Sequence, residues 1–304
     1  FYLSLNFGCV FLIKLILMNF LKVYQQAFES ALEDFNQEKS PQNLYKPIEY
    51  LLDLGGKRIR PFMTLMAAEA YGVSFKKAIG AAMAVEVFHN FTLMHDDIMD
   101  KATLRRGKTT VYKKWDVNTA ILSGDAMLIK AYQCLEKYPI DIFQKLTCLL
   151  SKTAIEVCEG QQYDIDFETR PDTSEEEYIE MIRLKTAVLV GCALKMGAII
   201  GKASEEDQKA IYDFGIQLGL AFQLQDDYLD TFGDPETFGK KIGGDILKDK
   251  KTILYHLAIK TGEEDERHLL QLLLGGNETI DDDEKINKVK SLFESTSAQS
   301  AARD

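Results

Sequence analysis

Apolar residues recur along most of this chain at intervals of three and four, the period of a helix. Phe20, Val23, Tyr24, Ala27, Phe28, Ala31, Leu32 and Phe35 mark a first helix across 19–39, closed by Ser40-Pro41. The same period predicts helices over 44–54, 62–71, 118–138, 141–167, 173–200, 204–232 and 286–294, and a long one that opens at Ser74 or Phe75 and reaches Asp100. Thr173 and Ser204 each stand three residues before an acidic side chain, the spacing of a capping box. No segment sustains strand alternation, and no hairpin dipeptide joins β-branched runs. The expectation is an all-α protein. Its helices are long and no Pro/Gly/Ser-rich linker separates them, so the pattern predicts a single large helical bundle around a central cavity.

The helix ending at Asp100 begins with small residues, Ala78, Ala81, Ala82 and Ala84, suited to close packing. Its polar positions therefore stand out. Phe88–Asp100 reads FHNFTLMHDDIMD and holds the trio Asp96, Asp97 and Asp100, and a second trio, Asp226, Asp227 and Asp230, lies in AFQLQDDYLD. At about 100° per residue, Asp96 and Asp100 project within roughly 40° of each other and His89 falls on the same face. Burying adjacent carboxylates without a cation is costly or raises their pKa values. A hard divalent ion with oxygen ligands suits them, Mg²⁺ first, because it keeps waters and bridges to substrate phosphates. Either trio alone also fits a solvated acidic helix end. Two of them, each behind Phe and aliphatic residues and 130 positions apart, predict two non-adjacent helices facing one cavity.

Composition narrows the partners. A formal net charge of -11 and a pI near 5.0 exclude nucleic acid as a general partner, so a polyanionic substrate must be met by local cations or metal. Such cations are clustered. Lys57, Arg58 and Arg60 sit in GGKRIRP, where Pro61 marks the first turn of a helix whose N-terminus suits phosphate. Arg105 and Arg106 follow the first trio in KATLRRGKTTVYKKW and can complete a diphosphate site opposite the metal. Lys185-Thr186 interrupts an apolar face, and FGDPETFGKKIGGDILKDKKT carries Lys240, Lys241, Lys248, Lys250 and Lys251 as a cationic flap. Five cysteines without CxxC spacing read as core residues in a reducing, cytoplasmic compartment.

The opening FYLSLNFGCVFLIKLILM is apolar, yet its uncharged run stops at Lys14, short of the roughly 20 residues a spanning helix needs, and no cleavage signal follows. No integral membrane segment is expected. Residues 1–18 are expected to lie outside the domain, with Met18 as its working start. Residues 19–304 form the domain, its end expected to be incomplete because SAQSAARD offers no apolar closing segment.

Taken together, GGKRIRP, HNFTLMHDDIMD, RRG, GQQYD, KT, FQLQDDYLD and a distal GKKIGGDILKDK resemble the trans-type polyprenyl diphosphate synthases, the farnesyl and geranylgeranyl diphosphate synthase family, from about Asn19 to Ser295. The resemblance implies a homodimeric prenyltransferase that uses Mg²⁺ and joins isopentenyl diphosphate head-to-tail to dimethylallyl, geranyl or farnesyl diphosphate. It implies a catalytic set of Asp96, Asp97, Asp100, Asp226, Asp227, Asp230 and Lys185, with Asp96, Asp100 and Asp226 as metal ligands. It implies an isopentenyl diphosphate site at Lys57, Arg60, His89 and Arg106. Arg105, Lys185, Thr186, Gln223, Lys240 and Lys250 are implied as contacts of the allylic diphosphate, with Lys241 as an alternative to Lys240.

Product length is read from the residues before the first trio. Phe91 and Phe88 lie about 7.5 and 12 Å from it by helical rise, and an aromatic at Phe91 resembles the geranylgeranyl-type enzymes. Wheel arithmetic instead turns Thr92 toward Asp96 and Phe91 about 140° away. Phe88, Phe91 and Thr92 therefore all stand as floor residues, and geranylgeranyl or farnesyl diphosphate as the product. A class I terpene cyclase would usually carry an Asn/Ser/Glu-type second motif and has no need of GGKRIRP. A non-catalytic partner subunit has no need of both trios and the basic contacts, and a di-iron bundle would want Glu with ExxH spacing.

Overall fold

The computed structural model describes residues 7–35, 39–170, 172–234, 242–275 and 280–303, with side chains from Leu21 onward. The chain divides into two compact units, Phe1–Ser151 with Cys192–Tyr212, and Lys152–Gly191 with Asp213–Asp304. Among the described residues, helices dominate and the only strands form one two-stranded ribbon.

In the first unit, α1 (Phe7–Phe35), α2 (Gln42–Asp53) and α3 (Ile59–Ala70) precede a 3₁₀ turn (Phe75–Ala78) and α4 (Ile79–Met99); α5 (Val111–Lys114), α6 (Val117–Gln133) and the start of α7 (Ile140–Thr169) follow. The helix α1 runs through Met18 without a break. Because α4 is apolar on every side, it is buried on nearly every side, with Ala81, Ala82, Val85, Val87 and Phe88 fully enclosed. Helices α3 and α6 flank it. Its small residues permit the close approach expected of them: a Cβ on Gly80 would fall 2.8 Å from the Cys134 carbonyl oxygen. Two polar side chains, Glu86 and Asn90, are buried within this apolar helix, and Asn90 Nδ2 donates to Glu86 Oε1 at 3.0 Å.

One element departs from the sequence reading, which anticipated no hairpin. Leu104–Arg105 (β1) and Lys108–Thr109 (β2) pair antiparallel. Both residues of the connecting turn have positive φ, 52° at Arg106 and 73° at Gly107, the primed geometry whose twist matches two-residue hairpins. Arginine in place of the usual Asn or Asp before glycine conceals the turn.

The second unit contains α8 (Glu175–Ile182), a π-helical turn (Arg183–Ala187), the start of α9 (Val188–Ile200), most of α10 (Glu205–Phe232), and the short α11 (Gly244–Leu247). It continues through α12 (Ile253–Thr261), α13 (Glu264–Leu273), α14 (Asp282–Ser295) and α15 (Ala298–Ala301). Phe167, Tyr178, Leu254, Leu270, Val289 and Phe293 belong to its core. The single helix expected across 173–200 is thus divided, and its capping box is Ser174 with Glu177, one residue later than expected. Ser204 caps α10 through the Asp207 amide at 3.1 Å, as its spacing predicts. Among the described residues, no helix is long and apolar enough to cross a membrane.

Candidate active site

The first trio closes α4. Asp96 is partly exposed, Asp97 is buried and Asp100, the C-cap, is exposed. The C-terminal pole of a helix carries partial negative charge, so three carboxylates there add repulsion that a cation must relieve. For Asp97 the cation is Arg105, placed by β1: its Nη2 and Nε donate to Asp97 Oδ1 at 2.6 and 3.0 Å. The other oxygen, Oδ2, is buried without a partner. Burial raises the Asp97 pKa, and the Arg105 guanidinium opposes that rise.

A second feature of the same unit is a field of arginines around a histidine. Gly55 and Gly56 have φ of 76° and 133°, a backbone that glycine alone adopts without strain. The Arg106 guanidinium packs against it, donating to the Gly55 carbonyl; a Cβ on Gly56 would lie 2.8 Å from Arg106 Nη2. Arg60, in the first turn of α3, brings Nη1 to 3.3 Å from His89 Nε2. Its own Nε is buried without a partner. Burial holds the His89 pKa well below the usual imidazole range, and the Arg60, Arg106, Arg105 and Arg58 charges lower it further. Burial and the four charges all favour the uncharged imidazole. Burial likewise lowers the Arg106 pKa, with Arg58 repelling it. Lys57 is exposed on the loop before α3. Arg58 plays a different part. It is a left-handed residue with φ 48° that bonds the buried Glu86 and donates to the Leu52 carbonyl at 2.5 Å. Of the GGKRIRP cations, Arg58 is committed to the fold.

In the second unit, a cavity of ≈ 170 Å³ is lined by Asp164, Lys185, Thr186, Gln223, Asp226, Asp227 and Lys250, among others. Lys185 and Thr186 stand in the π-helical turn, an irregularity that often marks functional positions. It is held by close approach from two glycines: a Cβ on Gly160 would lie 2.7 Å from Lys185 Cα, and one on Gly219 would lie 2.8 Å from Ala187 Cβ. Lys185 Nζ donates to Asp164 Oδ2 at 2.5 Å and Lys250 Nζ reaches the same oxygen at 3.5 Å. Although burial raises the Asp164 pKa, the two ammoniums outweigh it and hold the carboxyl below its ordinary range.

The second trio is divided in its roles. Asp226 is partly exposed and lines the cavity. Asp227 is 4% exposed; Gln223 Nε2 donates to its Oδ1 at 2.9 Å and the Tyr178 hydroxyl to its Oδ2. Thr186 Oγ1 donates to Gln223 Oε1 at 3.1 Å, which fixes the amide so that its NH₂ points at Asp227. Burial pushes the Asp227 pKa up to about 7, against the lowering effect of its two donors. Asp230 is buried and accepts the Asp245 amide at 2.9 Å, closing the N-terminus of α11. Lys240 and Lys241 lie outside the described residues.

The donor set of both trios is carboxylate oxygen, which suits a hard divalent ion, and the orphaned Asp97 Oδ2 is an acceptor without a donor. Among the described residues, no three His, Cys, Asp or Glu side chains converge on one point. A polyprenyl synthetase family model matches residues 41–294. The chain belongs to that family.

The geranylgeranyl diphosphate synthase of Methanosarcina mazei is 43% identical over 236 residues, 77% of this chain and 73% of that protein. The geranylfarnesyl diphosphate synthase of Natronomonas pharaonis is 38% identical over 244 residues, 74% and 71% of the two chains. A solved geranylgeranyl pyrophosphate synthase is 56% identical, with a TM-score of 0.89 over 93% of this chain and 88% of that one. This polyprenyl synthetase therefore has the all-α fold of those enzymes, as the helical periodicity predicts.

Sequence reasoning gave no role to Glu86, Asp164 or Tyr178 in this polyprenyl synthetase. Asp164 is within the GQQYD run, but nothing in the sequence reveals that two distant lysines share its oxygen. Among the floor residues, Phe88 is fully buried and its ring meets that of Phe91 at a 53° tilt, with centroids 5.6 Å apart. Phe91 and Thr92 retain exposed surface, and the Thr92 hydroxyl donates back to the His89 carbonyl at 2.8 Å.

Proposed function

We propose that this polyprenyl synthetase condenses isopentenyl diphosphate head-to-tail with an allylic diphosphate and releases diphosphate. The observation that carries the reading is the pair Arg60 and Arg106 beside His89: Arg58 has Glu86 and Arg105 has Asp97, whereas among the described residues Arg60 and Arg106 make no ion pair with a carboxylate, and Arg60 retains a buried N–H without a partner. An anion is what that arrangement lacks. Arg60, His89, Arg106 and the exposed Lys57 hold the diphosphate of isopentenyl diphosphate. A neutral imidazole can donate one N–H to that diphosphate and adds no repulsion to the arginines around it.

Lys185 and Lys250, spaced by Asp164, present two ammoniums to the allylic diphosphate, with Lys240 and Arg105 as further contacts. Thr186 and Gln223 act by orienting Asp227. Asp96 and Asp100 of the first unit and Asp226 of the second would each offer carboxylate oxygens to Mg²⁺, which when bound would neutralise the leaving diphosphate so that the allylic C–O bond can ionise. The isopentenyl double bond, fixed by its own diphosphate, attacks C1 of the allylic cation. The C2 proton then leaves, taken up by the departing diphosphate. No side-chain nucleophile takes part. Holding two anions side by side is the protein's main task.

The product is geranylgeranyl diphosphate, limited by Phe91. The exposed apolar face of α6, with Val117, Ile121, Leu122 and Ile129 at 40–60% exposure, supports a homodimer. We place the enzyme in the cytoplasm on its cysteine spacing, although Cys148 and Cys158 are exposed rather than the core residues that spacing suggests. Incubation with isopentenyl diphosphate, Mg²⁺ and each allylic primer in turn, followed by product analysis, tests the reaction. A C20 product is expected, with Phe91→Ala giving C25 or longer. Cyclic hydrocarbon, or no diphosphate release with any primer, overturns the reading; an unchanged product from Phe91→Ala rejects Phe91 as the floor.

A further inference from the structure

The geometry points to a second ligand site in the first unit, a preformed cavity that takes a phosphate-bearing amphiphile. It is a half-open cleft of ≈ 610 Å³ beside the N-terminal end of α4, within the size range of small-molecule sites. Gly80 in its wall precedes Asp96 by 16 residues, about 24 Å of helical rise. The cavity is therefore separate from the carboxylate trio at the other end of the helix.

Four lysines line it: Lys76 and Lys77 from the 3₁₀ turn, Lys137 after α6 and Lys202 after α9. None of the four makes an ion pair among the described residues, and the only carboxylate in the lining is Asp141. In a protein of formal net charge -11, a +4/−1 lining concentrates cations against the overall balance. All four are exposed and present their ammoniums to an anion that enters the cleft. Val73, Ile142 and Ile200 add aliphatic surface to the same lining. Cations beside aliphatic surface select a ligand with a phosphate head and a hydrocarbon portion over a free inorganic ion.

The walls are held in place. Tyr138 Oη donates to the Lys77 carbonyl at 2.9 Å and accepts from the Ala81 amide at 3.0 Å, fastening the turn after α6 to the start of α4. Gly80 allows that approach, since a Cβ there would meet the Cys134 carbonyl and the Tyr138 ring. Cys134 lines the same cavity and serves as a native reporter.

The test uses the full chain without divalent metal, with dodecyl phosphate below its micelle concentration as the probe. Maleimide labelling of each cysteine is followed by mass spectrometry. Dodecyl phosphate is expected to slow Cys134 at least fivefold and to leave the exposed Cys148 and Cys158 unchanged. Inorganic phosphate and phosphatidylglycerol vesicles are expected to change Cys134 less than twofold. In Lys77→Glu/Lys137→Glu the protection ratio falls to near one, while kcat stays within twofold of the parent. Unchanged Cys134 labelling in the parent protein overturns the site. So does protection that survives the charge reversal. Equal protection by inorganic phosphate overturns the amphiphile, and equal protection by vesicles would replace it with a membrane surface.

Discussion

Arg58 separates a structural cation from a substrate-binding one within a single motif. Its side chain is 11% exposed and that of Glu86 is 4% exposed. One guanidinium nitrogen bonds Glu86, and another donates to the Leu52 carbonyl at 2.5 Å. Arg58→Leu keeps the aliphatic bulk and removes both bonds, leaving Glu86 with Asn90 as its donor at 3.0 Å. Breaking one side of a buried ion pair costs roughly 3–5 kcal/mol, chiefly because the remaining charge is stranded. At about 2–4 °C per kcal/mol for domains of this size, the melting temperature should fall by roughly 6–20 °C. Relief of repulsion on Arg106 opposes the loss and places the result toward the lower end. Replacing both partners, Arg58→Leu with Glu86→Leu, should recover most of the stability, because a buried pair exchanged for apolar residues is often neutral. The assay is thermal unfolding of the four proteins of this double-mutant cycle, together with the KM for isopentenyl diphosphate. KM is expected to stay within about twofold where the protein is folded. A stability loss under about 1 kcal/mol with a tenfold rise in KM would refute the reasoning and return Arg58 to the substrate site.

Other predictions follow from buried hydrogen bonds and shifted titrations. Tyr178→Phe removes the donor to Asp227 Oδ2 and should cost about 1–3 kcal/mol, read by urea denaturation; a change under about 0.5 kcal/mol would show that the bond contributes nothing. In the unfolded chain His89 takes up a proton near pH 6.5, whereas in the folded protein burial and four arginines resist it. The folded state then binds fewer protons, so stability falls as pH drops below about 6.5, by at most about 1.4 kcal/mol per pH unit from this group. His89→Gln should flatten that part of the stability–pH curve, and a slope equal to the parent's would reject the assignment.

Much of the fold is legible because long amphipathic and apolar runs dictate helices whatever surrounds them. The period locates α2, α3, α4, α6, α7 and α10 within a few residues. The misses have local causes. The π-helical turn at Lys185 adds one residue and shifts the helical phase, but Val188–Ile200 after it is apolar and buried on nearly every side, so the shift leaves no mark on the pattern. The Arg106-Gly107 turn is hidden by an uncommon left-handed arginine. The trios and the arginine cluster could be found because charges in apolar surroundings need a reason. Which arginine serves the fold depended on Glu86, 28 positions from Arg58, and no periodicity links them. For the same reason, the ion pairs of Asp164 with Lys185 and Lys250 and the Tyr178 bond to Asp227 are invisible until the helices are packed.

The two DDxxD motifs share an arrangement that follows from helix geometry. At about 100° per residue, the first and fifth positions share a face and the second turns away from it. If the first and fifth positions meet solvent and substrate, the second must point into the helix packing. Asp97 and Asp227 do so: each is buried, each has its pKa raised mainly by burial, and each is held by side-chain donors, Arg105 for one and Tyr178 with Gln223 for the other. Their carboxylates anchor the ends of α4 and α10, whose first aspartates, Asp96 and Asp226, remain partly exposed. The motifs differ at the fifth position, since Asp100 is exposed whereas Asp230 is buried beneath α11. The first motif thus offers two carboxylates outward and the second offers one.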